Sequence, residues 1–399
     1  MRLGTRGRRL SRVLAGVAVA AVVSTTASVA LADPPSGVTP RPVDIVGVGA
    51  DVTASLLDQL SHDYNAGLAS AAAHLYSWDA TNPSTGAIGD QIVTKSGCKA
   101  IPRPDGSSEG VSALTTENGT TSGHPCIDFA RSSSDRSTST PPYGKGGVAF
   151  IDLAGDAVTY ATQPGSDAPG NLTTADLTAI YECKVTNWDQ VGGKNGPIHA
   201  FIPFPGSGTR SFFLTAIGVT TPGSCVSDDN GDLVQSEGVN PVLNKDKPDV
   251  IVPYSVGQYV AERYHSAACL NSGCTAEKGV ICKPKSGQNA FGCDTRGTMV
   301  LNEINGTAPT KPWPLTNSTT NPVINPSYTS TFSRLLFDVV PYSTASGNVN
   351  HIAPNLAAIF GPKGYVCTNS TAIKDLKNYG FEVLPPATGN QAGDCGSTH

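Results

Sequence analysis

The sequence lacks the features of several protein classes. Its 27 Lys and Arg do not exceed its 32 Asp and Glu, and the formal net charge is −5. A nucleic-acid-binding surface would require a positive balance, so we expect no nucleic-acid partner. The seven histidines include no His-x-x-x-His pair, which argues against a zinc site. After residue 32, no apolar run is long enough to span a bilayer.

Residues 1–32 have the pattern of a secretory signal peptide. Five arginines precede the apolar run Val13–Val23, and Ala30-Leu31-Ala32 supplies the small residues of a cleavage site. We expect cleavage near Ala32 and a secreted, extracellular protein. No cysteine follows this site, so a bacterial lipoprotein anchor is not expected. The proline-rich residues 33–42 are predicted to form a flexible leader.

The ten cysteines all lie after the predicted signal peptide. An even number of cysteines in an exported chain favours disulfides over metal or redox sites. Proximity along the sequence predicts the bridges Cys98–Cys126, Cys183–Cys225 and Cys367–Cys395. Two further bridges are expected, in one of three pairings, among Cys269, Cys274, Cys282 and Cys293.

Strand and helix patterns alternate along the chain. Gly147–Ile151 and Ala157–Ala161 are predicted to be two strands of a central sheet, and Leu172–Tyr181 a capped helix. Such alternation predicts an α/β sandwich with ligands at the strand ends. The chain after residue 32 is longer than a single hydrophobic core usually supports, so we predict two lobes.

One turn has the chemistry of an anion site. Gly206-Ser207-Gly208-Thr209 lies between a predicted strand, Ile198–Pro203, and a predicted helix. Backbone N–H groups at a helix start lack intrahelical partners, and with two hydroxyls and the helix dipole they can hold a small oxyanion. Arg210 adds a charge suited to phosphate or carboxylate. The alternative is an ordinary N-cap.

Other polar side chains lie at predicted strand ends, where open α/β folds gather ligands. Arg131, Ser132 and Ser133 end the predicted strand Cys126–Ser134, and Asp51 follows the first strand. A surface salt bridge is the alternative role of Arg131, and dipole stabilisation that of Asp51.

Gly106-Ser107-Ser108-Glu109-Gly110 matches the Gly-x-Ser-x-Gly pattern of a hydrolase nucleophile elbow. An elbow follows a buried strand, whereas Pro102 and Pro104 precede this one, and Arg103–Gly110 is predicted to be a loop. A secreted serine hydrolase built on Ser108 is therefore the weaker alternative. We expect no enzyme, cofactor or metal site.

The order of these motifs resembles that of the phosphate-binding proteins of ABC importers (PstS-like proteins). The matching segments are Gly47–Asp51, Gly106–Ser108, Asp128–Ser133, Leu172–Trp188 and Gly206–Thr209. The cysteine-rich insertions and the segment Phe360–Tyr365 resemble a secreted actinobacterial branch.

The resemblance implies an α/β, two-lobed fold of the type 2 periplasmic-binding-protein class. A cleft separates the lobes, and cysteine-rich loops are inserted. Lobe 1 is expected to comprise residues 43–152 and 328–399, and lobe 2 residues 153–327 with the disulfide-rich insertions.

The resemblance also implies roles for individual residues. Ser207, Gly208 and Thr209 match the second-lobe cradle of the family, and Ser107 or Ser108 matches a first-lobe hydroxyl and amide.

Three positions depart from the family. Its Thr-Phe pair falls on Asp51-Val52, its arginine on Pro203, and its aspartate near Ser133 or Ser134. We expect Arg131 and Arg210 to restore the positive charge. The proton acceptor is then expected to be one of three carboxylates: Asp51, Glu109 or Asp135.

The expected function is capture of a small oxyanion, with phosphate favoured, by a monomeric solute-binding protein. An ABC permease or a cell-wall component is the expected partner. A ligand-free interaction module on the same fold is a further alternative.

Overall fold

The computed structural model describes Met1 and, with several gaps, the part of the chain that follows the predicted signal peptide. The described residues are 1, 33–34, 37–82, 88–136, 147–231, 233, 238, 241–243, 248–265, 296–313, 322–343, 351–389 and 391–398. The rest of the predicted signal peptide lies outside them, as do four of the cysteines: Cys269, Cys274, Cys282 and Cys293.

Strands and helices alternate in the described residues. The strands are β1 (Ile45–Gly49), β2 (Leu75–Ser77), β3 (Gln91–Ile92), β4 (Ile101–Pro102), β5 (Thr120–Thr121), β6 (His124–Pro125), β7 (Phe129–Ser132), β8 (Val148–Thr162), β9 (Asn171–Leu172), β10 (His199–Ala200), β11 (Val250–Ser255), β12 (Val300–Leu301), β13 (Glu303–Ile304), β14 (Thr310–Lys311), β15 (Val323–Ile324) and β16 (Ser333–Pro341). The helices are α1 (Ala54–Ala66), α2 (Ser107–Thr116), α3 (Thr174–Tyr181), α4 (Gly208–Ala216), α5 (Val256–His265), α6 (Pro354–Phe360), α7 (Tyr365–Thr368) and α8 (Ser370–Asn378).

One eight-stranded sheet connects the whole fold. Its order is β10-β11-β8-β16-β7-β1-β2, and β12 also pairs with β8. The pairs β1–β2, β1–β7 and β10–β11 are parallel, whereas β8 and β16 run antiparallel to each other through the middle. The predicted α/β class is confirmed.

The central strand β8 corrects the prediction of two separate strands. All fifteen of its residues are buried; β16 pairs with residues 148–157 of this strand, and β11 pairs with residues 158–162. The polar residues between the two predicted strands have hydrogen-bond partners elsewhere in the fold and do not form a turn. The amide of Asp152 donates to the carbonyl of Ser397, and the carboxylate of Asp156 accepts from Arg334. Buried polar groups that find such partners do not interrupt a strand.

Apolar residues pack in three clusters. The buried members of one lie within residues 157–332 and include Tyr160, Trp188 and Phe213. Those of the other two lie within residues 45–154 and 336–381, apart from Ala261. This grouping is similar to the lobes expected from the sequence, whose boundaries stay a prediction.

Three predicted disulfides are confirmed. Cys98–Cys126, Cys183–Cys225 and Cys367–Cys395 join Cα atoms that lie 5.9, 5.9 and 5.7 Å apart. The remaining two bridges stay a prediction.

Residues of the predicted flexible leader contact the fold. The carboxylate of Asp33 pairs with buried Arg103 at 2.6 Å, and the amide of Ser96 donates to the carbonyl of Pro40 at 2.8 Å. A buried guanidinium requires anionic partners, and the leader supplies one of them.

Helix α2 occupies a stretch that we predicted to begin as a loop. Serines and a glycine open it, and these residues are weak helix formers. The helix forms because it packs against β1 and β7, where a Cβ on Gly110 would lie 2.7 Å from the Cα of Gly49. Tertiary packing thus overrides local propensity.

The packing between β1 and β7 yields a test. A Cβ on Gly47 would overlap the Phe129 ring, which is fully buried and packs on Phe360 at 4.8 Å between ring centroids. Gly47→Ala is expected to lower the free energy of unfolding by about 1–3 kcal/mol in urea denaturation. Gly67→Ala is the control, because no atom lies within 4 Å of its added Cβ. Equal losses in both variants would contradict this packing.

Candidate oxyanion-binding site

The N-terminus of α2 lies at the end of β7. The Ser107 side chain is buried, and its Oγ accepts a hydrogen bond from the amide of Ser133 at 3.0 Å. The two hydroxyl oxygens lie 3.3 Å apart. Hydroxyl groups and the first turn of a ten-residue helix therefore face one point.

The N-terminus of α4 is built by the turn that the sequence singled out. Ser207 is the N-cap, and its Oγ accepts from the amide of Arg210 at 3.3 Å. Ser207, Gly208 and Thr209 are buried. Ser207 can cap the helix while the same turn binds an anion, because its side-chain oxygen satisfies only one of the backbone N–H donors of the turn.

The two helix starts meet. The amide of Ser108 donates to the carbonyl of Gly206 at 3.5 Å. A Cβ on Gly208 would overlap the Ser133 hydroxyl and lie 2.6 Å from that of Ser107. Only glycine allows this approach. The positive ends of two helix dipoles are thus brought together, which favours a negative charge beside them.

Arg334 supplies the positive charge at this meeting point. Its Nη2 donates to the Thr209 hydroxyl at 3.1 Å, and its Nη1 donates to the carbonyl of Ser133 at 3.2 Å. The guanidinium therefore touches both helix-start regions from β16. Sequence reasoning did not identify Arg334, which lies with Asp338 in the mostly apolar segment Phe332–Val340.

A buried carboxylate holds Arg334 in place. Asp156 on β8 accepts from both Nε and Nη2 of Arg334, at 3.0 and 2.8 Å. Asp156 also accepts from the Ser255 hydroxyl and the Gly257 amide. Burial lowers the pKa of Arg334, and Asp156 opposes that shift. An arginine keeps its charge under such conditions because its ordinary pKa is so high.

A cavity of about 800 Å³ adjoins this point, between α2 and α4. Its buried lining includes Ser107, Ser132, Ser133, Phe150, Arg334 and Phe337. Exposed residues at its edge include Ser108, Ser112, Asp135, Ser211 and Thr215.

Arg131 is not among the residues that line the cavity. Its guanidinium is fully buried and donates to the carbonyls of Gly49 and Ala50 and to the Ser77 hydroxyl. These partners lie at the ends of β1 and β2. Arg131, on β7, therefore holds the ends of β1 and β2 in place and does not line the cavity.

Arg210 and Asp51 also lie away from the cavity lining. Arg210 donates to the carbonyl of Pro203 at 2.8 Å and pairs with Asp228 at 3.1 Å. The Asp51 carboxylate accepts from Gln258. Burial raises the pKa of Asp51 to about 6.

The two other predicted acceptor carboxylates differ in position. Asp135 lines the cavity. Glu109 lies against Gly206, and among the described residues its Oε2 has no hydrogen-bond partner. Burial raises the pKa of Glu109.

The hydrolase alternative loses its structural context. The strand before Ser108 is the two-residue β4, which pairs with β3 and ends in exposed Pro102. A nucleophile elbow requires a buried strand leading into the helix.

Within the described ranges, no group of three or more His, Cys, Asp or Glu could hold a metal ion.

Comparison with known proteins gives the class. A model of the PBP superfamily domain matches residues 89–346, which is more than half of the chain. The chain therefore belongs to the PBP (periplasmic-binding protein) superfamily and has its type 2 fold.

Several solved structures are similar to this chain. An ABC-type phosphate transport receptor from Vibrio cholerae is 17% identical with a TM-score of 0.45, covering 86% of this chain and 100% of that one. PstS from Borrelia burgdorferi is 16% identical with a TM-score of 0.39, covering 86% and 98%. A human phosphate binding apolipoprotein is 16% identical with a TM-score of 0.45, covering 86% and 92%.

Among the described residues, no helix is long and apolar enough to cross a membrane.

Carboxyl groups surround Arg131 behind the site. Asp338 on β16 faces Arg131 across the strand pair, and among the described residues its carboxylate has no hydrogen-bond partner. Burial raises the pKa of Asp338 to about 8, and Arg131 opposes the shift. Burial also raises the pKa of Asp79 to about 8 and that of Asp58 well above its ordinary value.

The Asp338 carboxyl makes stability depend on pH. Because its folded pKa lies above the unfolded value, its contribution is complete below about pH 4 and is lost as the pH rises to about 8. Unfolding measured by denaturant at pH 5 and pH 8 should show lower stability at pH 8. Asp338→Asn is expected to reduce this difference by roughly 1–3 kcal/mol. The control Asp189→Asn changes an exposed carboxylate; an unchanged difference in Asp338→Asn would contradict the assignment.

Proposed function

We propose that this protein is a secreted solute-binding protein that captures a small oxyanion, with inorganic phosphate favoured. The observation that carries the proposal is the meeting of the α2 and α4 starts with Arg334 at the cavity. The protein carries out no chemistry on its ligand.

The electrostatics of the site favour an anion. Two helix dipoles present their positive ends, and hydroxyls of Ser107, Ser133 and Thr209 lie beside them. Arg334 adds a charged hydrogen-bond donor, which Asp156 holds in place at 2.8 Å. An anion then gains from the oriented donors, which act strongly where water is excluded.

Selection of phosphate over sulfate requires an acceptor for the proton of monohydrogen phosphate. We assign this role to Asp135, because it is the one of the three expected carboxylates that lines the cavity. A sulfate ion brings no proton, so the same carboxylate would repel it.

The two lobes are assigned as residues 43–152 with 328–399, and residues 153–327. Anion binding between them favours the closed arrangement, because donors come from both α2 and α4. A permease or a cell-wall component would recognise that closed monomer. The names of the similar structures agree with phosphate as ligand, but the proposal rests on the site of this chain.

Removal of the Arg334 charge tests the proposal. Calorimetric titration of the mature protein with phosphate should give one site, and Arg334→Gln should weaken binding roughly 10- to 100-fold because a charged donor is lost. The double variant Arg334→Gln/Asp156→Asn should show the same loss without leaving a buried carboxylate unpaired. Phosphate binding unchanged in both variants would contradict the site.

Arg210→Gln provides the comparison with the position favoured by the sequence. Its guanidinium bonds to Pro203 and Asp228, so we expect a smaller loss than in Arg334→Gln. A larger loss in Arg210→Gln than in Arg334→Gln would indicate that Arg210, not Arg334, balances the charge of the anion.

Asp135→Asn should reduce the preference for phosphate over sulfate.

A further inference from the structure

The first residue after the predicted cleavage site is bound by buried groups. The Asp33 carboxylate accepts hydrogen bonds from Nη1 and Nη2 of Arg103, at 2.6 and 3.0 Å, and from the backbone amide of Asp79 at 3.0 Å. Arg103 is only 4% exposed, and Pro34, which follows Asp33, is buried. These contacts hold Asp33 in a defined position near the end of β2.

The Arg103 guanidinium is itself held by other partners. Its Nε donates to the Asp90 carboxylate at 2.5 Å, and its carbon lies 5.6 Å from the ring centroid of Trp78. Asp90 also accepts from the side-chain amide of Asn82 at 2.9 Å. A guanidinium fixed in this way binds one further carboxylate, through two donors, in one orientation.

Carboxyl groups outnumber guanidinium groups around this pocket. In the part of the chain that the structure describes, Arg103 and Arg131 interact with six carboxyl groups: those of Asp33, Asp51, Asp58, Asp79, Asp90 and Asp338. Burial and the negative charge of Asp33 raise the pKa of Asp79 to about 8, although Arg131 and Arg103 oppose the shift. A further cation beside Asp33 would favour the ionised form of Asp79.

Cleavage after Ala32 creates a cation at this position. It converts the backbone nitrogen of Asp33 from a neutral amide into an α-ammonium group. Covalent geometry keeps this nitrogen within about 5 Å of the carboxylate of the same residue. Because Arg103 and the amide of Asp79 hold that carboxylate, the new positive charge lies close to Asp79 as well.

We propose that the chain end produced by cleavage is a docked part of the fold, in which the α-ammonium group of Asp33 is a counter-ion of Asp79. The inference rests on the secretion proposed above and is independent of which anion the cavity binds. Asp79 follows β2, whose Ser77 hydroxyl accepts from Arg131, and Arg131 also donates to the carbonyl of Gly49. Removal of the signal peptide therefore completes the charge network at the ends of β1 and β2.

Acylation of the α-amine tests the position of the ammonium group. Residues 33–399 are released from a fusion by a protease that leaves Asp33 first, and are acylated at pH 7 with and without urea. Only the neutral amine reacts, and nearby carboxylates favour the charged form, so the folded protein should react at least about tenfold more slowly than the unfolded chain.

The matched control carries Gly-Ser before Asp33, which keeps the Asp33 carboxylate and moves the α-amine away from Asp79. Its folded and unfolded rates should differ less than about threefold, because its amine is solvated in both states. Equal slowing in the two proteins, or no slowing in either, would overturn the inference.

Hydrogen exchange tests the docking of the Asp33 carboxylate separately. The amide of Asp79 loses its acceptor in Asp33→Ala and should exchange at least about tenfold faster. The amide of Ile45, which donates to the carbonyl of His74 at 2.8 Å, should keep its rate. Unchanged exchange at Asp79 would contradict the docking of Asp33.

Two further measurements separate this inference from the proposed function. The full chain, expressed in a bacterium that exports it, should yield a protein whose mass corresponds to a start at Asp33. A different first residue would overturn the inference and leave the proposed anion site standing. Slow acylation of the Asp33 α-amine in a protein that binds no phosphate would support the inference and overturn the proposed function alone.

Discussion

The ion pair between Arg334 and Asp156 is the interaction on which the candidate site depends. It joins the two long antiparallel strands in the middle of the sheet and is buried on both sides. A buried ion pair contributes little net stability, but loss of one partner leaves an uncompensated charge in a low-dielectric environment. The pair therefore fixes the position of the guanidinium more than it stabilises the fold.

That position connects the sheet to both helix starts. Arg334 reaches Thr209 at the beginning of α4 and Ser133 beyond the end of β7, and Ser133 in turn bonds to Ser107 of α2. Glycine at position 208 lets the backbone of α4 come next to these hydroxyls. The guanidinium of Arg334 on the sheet and the hydrogen-bond donors at the starts of α2 and α4 therefore lie at one point.

Local patterns predicted much of this arrangement from the sequence. The Gly206–Thr209 turn contains the residues that a helix start requires, and the disulfides follow from cysteine spacing. Serines 107 and 133 were also expected at the site, and the structure brings them together.

The role that we propose for Arg334 could not be predicted, because it depends on long-range pairing. Arg131 and Arg210 were favoured by their nearness to the motifs, yet nearby carbonyls and Asp228 hold their guanidinium groups. Arg334 lies far from the turn in sequence and reaches it only because β16 pairs with β8. Helix α2 was missed for a similar reason, since its stability comes from packing rather than from its own residues.

A crystal structure of residues 33–399 grown in phosphate tests the central claim most directly. The account predicts a tetrahedral anion within hydrogen-bond distance of the Arg334 guanidinium and the Ser107 hydroxyl, between the starts of α2 and α4. An anion bound instead beside Arg210 or Arg131, with none beside Arg334, would contradict it.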